Sequence, residues 1–356
     1  MAHLRLRDRD AIITKEGLIF RVLGYSHLRE FFICDAEYAS SKIFKSDDPR
    51  APRGLGKELF HKFYEDEGWK FIQDRYPQYM ILHKMLKRKV IGVSFNDIFT
   101  TRKPNNVLQK LFYKRREDGL LSAMRSVVNV VSESSNLSIE DFGVFGSMLH
   151  GFYHPTFSDI DLVIYGGNNL DRLRKTLHEF YASDSAVLKN EFETDQSVKG
   201  KIWRFRNLSQ KEYVWHQRRK LTYALFRDRK SGRTIKTEFE PVKNWNEINN
   251  EYDSKTRIIS KGWTHILAKV INDPESPFIP SVYTIEPQEI CEGPREAIET
   301  KRIVSFMEEF RMQAKRGEIV DVRGNLEKIS APTGPFFQIA LTYCPRYYEQ
   351  VLKVKN

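Results

Sequence analysis

Cysteine is scarce in this sequence: Cys34, Cys291 and Cys344 are the three among 356 residues, odd in number and far apart. That excludes a disulfide framework and the paired ligand spacing of a zinc cluster, and it predicts a reducing, cytoplasmic setting. Long apolar runs are also missing. No stretch approaches the ~20 apolar residues of a membrane helix, and the opening MAHLRLRDRD has no apolar signal core, so a soluble, unexported protein without a membrane partner is expected. Repeats and low-complexity tracts are absent too, and 40% hydrophobic with 29% charged residues describe a folded globular chain. Acidic residues are the minority charge, 47 against 58 Lys and Arg, giving a formal net charge of +11. A surface of that sign attracts polyanions, of which nucleic acid is the commonest.

The length exceeds what one compact core usually fills, so several domains are expected. Residues 1–105 read as an α+β region. Gly17 separates two apolar runs in AIITKEGLIFRVLGY and REFFICDAEY adds an aromatic strand, while 57–90 carries Leu59, Phe60, Phe63 and Tyr64 at helical spacing until Pro77 interrupts. Residues 106–245 form the candidate catalytic domain. A long helical stretch entered at Pro104-Asn105-Asn106 runs from Leu108 through Val131, and DFGVFG and DIDLVIYGG read as buried strands around a turn. A helix follows over NLDRLRKTLHEFYAS with Asn168 or Asn169 as cap, then a second over SQKEYVWHQRRK capped by Ser209, then a hairpin turning at Lys230-Ser231-Gly232. The proline-punctuated 246–300 reads as a partly helical connection. Residues 301–356 read as a small β domain with turns at Gly317 and Gly324, of a kind that can bind RNA or serve structure.

Chemistry concentrates in FGSMLHGFYHPTFSDIDLVIYG. Gly146 allows close backbone approach to a triphosphate, and Ser147 at a helix start offers a hydroxyl and free amides to phosphate oxygens. Asp159 and Asp161, two apart on a strand, project from one face. Adjacent carboxylates of this kind suit Mg²⁺, with Mn²⁺ as a possible substitute, because Mg²⁺ takes one or two carboxylates plus substrate phosphates. His150 and His154 stand four apart without further ligands at metal spacing and read as loop polar residues.

This stretch resembles the signature of the DNA polymerase beta-like nucleotidyltransferase superfamily, in particular its minimal members: an apolar residue, Gly-Ser, about ten residues, then Ser-Asp-x-Asp-Leu. Gly146, Ser147, Gly151, Pro155, Ser158, Asp159, Asp161 and Leu162 fall where that pattern wants them. The resemblance covers about a hundred residues. It implies a mixed sheet with helices, metal binding by Asp159 and Asp161, and nucleotide binding by Gly146, Ser147 and Ser158. Minimal members often carry an arginine shortly after Gly-Ser, where this chain has Met148, Leu149 and His150. The family's third carboxylate lies on a later strand; in TIKTEFEPV, Glu238 and Glu240 share one face, Glu238 matching better and Glu240 remaining the alternative.

The stretch from Lys199 to Lys236 is basic and interleaved with Trp203, Phe205, Trp215 and Tyr223. Cations bind phosphates and rings stack on bases, so Arg218, Arg219 and Lys220 are candidates for triphosphate or acceptor contacts; the alternative is a solvated basic helix whose aromatics face the core. Together these readings describe a two-metal enzyme that moves a nucleoside monophosphate from an NTP, such as ATP, to an acceptor hydroxyl, with RNA or another nucleic acid as acceptor and pyrophosphate as product. The rivals are nucleotide transfer to a protein or small molecule, and a catalytically silent nucleic-acid-binding module.

Overall fold

A computed structural model describes residues 4–55, 58–83, 88–115, 118–249, 256–332, 334–342 and 346–355, so Cys344 lies outside the described residues. The chain opens with strands β1 (Ala11–Ile13), β2 (Leu18–Val22), β3 (Phe31–Ser40), β4 (Pro52–Leu55) and β5 (Glu58–Lys62). Helix α1 (Glu67–Arg75), strands β6 (Met80–His83), β7 (Arg88–Ser94) and β8 (Thr100–Arg102), and helices α2 (Pro104–Phe112) and α3 (Gly119–Ser135) follow. The middle comprises β9 (Phe142–Val144), α4 (Gly146–His150), β10 (Ile160–Tyr165), α5 (Gly167–Ala182), β11 (Leu188–Asn190), α6 (Gln210–Lys220), β12 (Tyr223–Arg227) and β13 (Thr234–Val242). Six strands remain: β14 (Arg257–Asn272), β15 (Ser281–Glu292), β16 (Thr300–Ser305), β17 (Ile319–Ala331), β18 (Gly334–Leu341) and β19 (Val351–Val354). The architecture is α+β, as the element pattern implies. It divides into two compact units, residues 1–179 with 226–248 and residues 180–225 with 249–356.

In the first unit, one sheet runs β4-β5-β3-β2-β1-β8, with β7 bridging β3 and β6. Its core gathers Ile12, Phe20, Val22, Phe32, Ile72, Tyr79 and Val93. Pairing of β2 with β3 jumps from Ile19↔Tyr38 to Phe20↔Ala36, leaving Glu37 as the extra residue of a β-bulge. Residues 58–62 differ from the helical expectation: Glu58–Lys62 pair with β3 and β4 as a strand, because partners on both edges outweigh a short local period.

Three further strands of this unit lie in the order β13-β10-β9, with β10 parallel to β13 and antiparallel to β9. Ile160, Leu162 and Ile164 are buried on one face of β10, and Val163 and Tyr165 are buried on the other with Val242, Tyr25 and Phe145. Burial on both faces is what a central strand requires. The single helix expected after Pro104 is two. Asp118 caps α3 by accepting from the Leu121 amide, and a second N-terminus there ends any continuation of α2. On α5 the cap is also different: the Gly167 amide donates to Glu247, while Asn169 donates to Asp141 and to the Tyr165 carbonyl.

In the second unit, neighbours run β14-β15-β16-β18-β17, and β17 returns to pair with β14 along Ile319–Ser330. The strands therefore close into a barrel. The other edge of β17 pairs first with β19 and then with β18. Ile266, Val270, Tyr283, Ile303, Val322, Leu326, Ile339 and Leu352 fill it. The expected connection at 246–300 is thus replaced by β14 and β15, two walls of the barrel. Pro274, Pro277 and Pro280 sit between these strands, and Pro287 enters β15 beside a register shift, where a missing N–H is tolerated. Gly324 is likewise no turn but a mid-strand residue, where a Cβ would meet Leu341 Cδ2 at 2.5 Å.

Helix α2 lies directly on β9: a Cβ at Gly143 would come within 2.6 Å of Pro104 Cβ and 2.8 Å of its backbone carbon. Gly143→Val is expected to lower stability by about 1–3 kcal/mol in urea titration, because α2 must shift. Gly119→Ala, with open space around it, should leave the midpoint unchanged or higher. Equal midpoints for the wild type and Gly143→Val would contradict this packing.

Candidate active site

All side chains of the site belong to the first unit. Gly146 has φ +58°, and a Cβ there would stand 2.5 Å from Asp161 Oδ2. Only glycine supplies both the left-handed backbone and the missing side chain. The Phe145 amide donates to the Asp161 carbonyl at 3.0 Å, so the turn and the strand are fixed to one another by backbone as well. The helix α4 then ends at Gly151, which is left-handed at φ 73°.

The loop that delivers Asp159 is internally bonded. Ser158 Oγ accepts from the His154 amide at 2.8 Å, and the Ser158 amide donates to the His154 carbonyl at 3.1 Å. Arg233 grips the same loop, its Nη2 donating to the Ser158 carbonyl at 2.9 Å and its Nη1 to Pro155 at 3.3 Å. Ser158 is therefore a loop organiser here. His154 is an exposed loop residue stacked on Phe157, but His150 is buried inside α4, unlike the loop position expected of it.

Parallel pairing sets Asp161 beside Glu238 and Val163 beside Glu240. Paired residues on adjacent strands share a face, so Asp161 and Glu238 are side by side, with Glu240 farther along the same face. The two glutamates differ in commitment: Glu240 is buried in an ion pair with Arg9 at 2.8 Å, both side chains almost fully enclosed, whereas Glu238 is half-buried. Asp159 is exposed and Asp161 half-buried. The Asp161 carboxyl is pushed up to about 7, first by burial and then by the charge of Asp159; Lys62 opposes this while Glu240 and Glu37 add to it. Among the described residues no three acidic, imidazole or thiol groups converge into a ready-made metal cage. The donor set still fits a hard cation that brings its remaining oxygens from substrate phosphates, since carboxylates crowded against one another are relieved by a divalent charge.

Several site residues escape the sequence reading. The bulge at Glu37 lets both it and Tyr38 reach His150: Glu37 Oε2 lies 3.6 Å from His150 Nε2, and the Tyr38 ring is 5.3 Å from the imidazole. Lys62 stands opposite Tyr38 in β5. Burial alone would raise Glu37, yet the nearby His150 imidazole and the charges of Arg21 and Lys62 hold it well below the ordinary carboxylate range. The opening charged segment also takes part. Arg7 is sandwiched against the rings of Tyr165 (3.9 Å) and Trp245 (4.7 Å) and donates to the Lys243 carbonyl, while Arg9 lies over Phe145. The alternation of charge in RLRDRD is the signal that could have pointed to it.

Arg218, Arg219 and Lys220 lie in the second unit. Arg218 reaches Glu193 at 2.5 Å on the surface, Arg219 pairs with Glu318 and covers Trp215, and Lys220 is fully buried, donating to the Glu309 carbonyl at 2.7 Å. Lys220 thus serves packing and not phosphate. Trp203 and Phe205 pack against the barrel core, so these aromatics follow the structural alternative.

Residues 124–223 match the family model of the nucleotidyltransferase domain, which includes Gly146, Ser147, Asp159 and Asp161 but stops short of Glu238. The chain is similar over 358 aligned residues to an uncharacterized protein of Methanocaldococcus jannaschii, at 24% identity, covering 99% of this chain and 100% of that protein. No solved structure matches the chain. No helix among the described residues is long and apolar enough to cross a membrane.

The raised Asp161 fixes the sign of a pH effect. The folded state binds its proton more tightly than the unfolded chain does, so its contribution is present at low pH and is lost as pH rises from about 4 through about 7. Without divalent cation, Asp161→Asn is expected to stabilise the protein at pH 8 by about 1–2 kcal/mol, discounted for solvent access, and to leave it unchanged at pH 4. Thermal unfolding at the two pH values decides; a variant less stable at pH 8 would reverse the reading of this carboxyl.

Proposed function

We propose, from the premise that residues 124–223 are a nucleotidyltransferase domain of the polymerase beta-like superfamily, that the protein transfers a nucleoside monophosphate from an NTP to a hydroxyl of a nucleic-acid acceptor, RNA foremost, releasing pyrophosphate. The observation that carries this reading is the close approach of Gly146 to the Asp161 carboxylate, beside Glu238 on the adjacent strand. It brings a phosphate-accommodating turn and a cation-seeking acid into one place.

In this reading Asp159 and Asp161 hold magnesium, or manganese in its place, and Glu238 completes the set. The bound cations supply charge neutralisation and alignment of the attacking and leaving oxygens. Gly146 lets the triphosphate approach the backbone, and the Ser147 hydroxyl and amide face its oxygens. Lys62 takes the part of the cation missing at Met148, Leu149 and His150, since its charge already acts on Asp161. Glu238 is preferred to Glu240 as third acid because Glu240 is spent on Arg9. Arg218 and Arg219 are proposed as acceptor contacts, with Lys220 excluded by burial. The net charge of +11 supports a polyanionic acceptor, and the unpaired Cys34 and Cys291 accord with a reducing cytoplasm. Catalysis is then positioning plus electrostatics, with no covalent protein intermediate.

A silent binding module is the second reading, favoured by the lack of a preformed cage among the described residues. Incubation with labelled NTPs, magnesium and RNA, protein or small-molecule acceptors separates the readings. Wild type is expected to label RNA, and Asp159→Ala to lose at least about a hundredfold in rate. Turnover undiminished in that variant would reject the assignment.

The two glutamates should also part company. Glu238→Gln is expected to lower kcat with stability preserved, whereas Glu240→Ala removes the nearer carboxylate from buried Arg9, leaving Asp8 at 3.8 Å, and should cost about 1–3 kcal/mol in urea titration. Lys62→Ala should raise KM for the NTP about tenfold, the scale of one charged hydrogen bond. A stable, slow Glu240 variant beside a fully active Glu238 variant would exchange their roles.

A further inference from the structure

A cleft of about 370 Å³ opens between β8, α2 and the last residues of α4. Arg102, Lys103, Asn106, Lys110 and His150 line it, and no carboxylate does. The guanidinium of Arg102 is the telling group. Its Nη1 lies 3.2 Å from His150 Nδ1, while His150 Nε2 faces Glu37, so the proton of the imidazole belongs on Nε2 and Nδ1 accepts from Arg102. The histidine is buried, and burial disfavours its charged form, so Arg102 rests against a neutral lone pair.

Among the described residues no carboxylate comes within ion-pair distance of Arg102 or Lys110. Lys103 is only partly engaged, donating to the Arg5 carbonyl at 3.2 Å and lying over Trp245, with its charge felt by the buried Asp10. A half-buried cation without a counter-ion is unfavourable for the protein alone, and an anionic ligand in the cleft removes that cost. Arginine's planar fork, with lysines beside it, matches phosphate oxygens.

We propose that this cleft is a phosphate subsite that holds an internal phosphodiester of the single-stranded acceptor while the acceptor's end lies at the acidic site. The inference rests on the transferase reading for its acceptor. Helix α4 separates the two places: Gly146 and Ser147 begin it and Gly151 follows it, a rise of about 7 Å at about 1.5 Å per residue, short enough for one strand to pass from one to the other. The triphosphate of the incoming nucleotide belongs to the opposite end of α4.

The test uses the full chain, a fluorescein-labelled ten-nucleotide single-stranded RNA and anisotropy in EDTA, so that the metal site does not contribute. Lys110→Ala, an exposed position that leaves folding intact, and Arg102→Ala combined with it should weaken RNA binding about tenfold or more. The slope of log K against log salt should fall by about 0.7 for each phosphate that the variant no longer neutralises. Magnesium-dependent ATP binding should stay unchanged, and Lys110→Ala should keep the wild-type thermal stability. Loss of ATP affinity with RNA affinity intact would overturn the acceptor assignment, and unchanged affinity for both would overturn the subsite. Because binding is read without metal, failure here is distinct from failure of the transferase reading, which shows as undiminished turnover in Asp159→Ala.

Discussion

The constraint on which the first unit depends is the approach of the Asp161 carboxylate to the bare backbone of Gly146. It requires a left-handed glycine, a strand that stops pairing with β9 at Leu162↔Val144, and a turn whose Phe145 amide bonds the Asp161 carbonyl. A carboxylate so placed is crowded by Asp159, Glu238, Glu240 and Glu37, and isolated charges of one sign in a partly dry site oppose folding. The fold answers with cations brought from elsewhere in the same unit: Arg9 pairs with Glu240, and Lys62 partly offsets Asp161. What is left over is a net negative centre, which is the condition for recruiting a divalent cation with its phosphates.

This ties the N-terminal sheet to the chemistry. Without the bulge in β3, Glu37 and Tyr38 would alternate to opposite faces of the sheet; with it, both face α4, and Phe60 stacks on Phe152 just beyond that helix. The opening RLRDRD runs along the face of β10 and β13 that carries the acids, Arg7 on Tyr165 and Arg9 on Glu240. The region before residue 105 is therefore a wall of the site and not an appendage. The second unit is organised differently, around a closed barrel whose core Trp203 and Phe205 extend.

How much of this was legible in the sequence follows from how local each signal is. The Gly-Ser turn, the strand that carries Asp161, the Ser209 cap and the hairpin before Glu238 are each encoded within a few residues and appear where their spacing puts them, whereas Asp159, expected on the same strand, falls in the loop just before it. Leu59 and Phe60 at helical spacing misled, because the strand they form is specified by β3 and β4 and not by its own period. Pro274 to Pro294 misled in the opposite sense: prolines usually end elements, and here three of them fill a turn and one sits at a bulge between long strands. Lys62, Glu37 and Arg9 were invisible because their meaning is tertiary, separated from Asp161 by about a hundred residues or more. Lys220 shows the converse, since a basic run on a capped helix says nothing about which cation turns inward.

Helix α4 holds apart two unbalanced charges of opposite sign, an acidic centre at its start and a basic cleft at its end. The side chains between them are Glu37, His150 and Arg102, arranged so that a neutral imidazole accepts from the guanidinium and turns its own N–H toward the carboxylate. A direct Glu37–Arg102 ion pair would have satisfied both groups and stabilised the protein. Inserting a neutral ring instead leaves the arginine uncompensated while Glu37 keeps its charge beside Asp161. A fold optimised only for stability would avoid that arrangement, whereas one that must accept a cation on one side and an anion on the other needs both charges kept available. If the proposed cation and phosphate subsites are both occupied, the short helix is the spacer between two ligand charges, and its length sets how far apart those ligands can be.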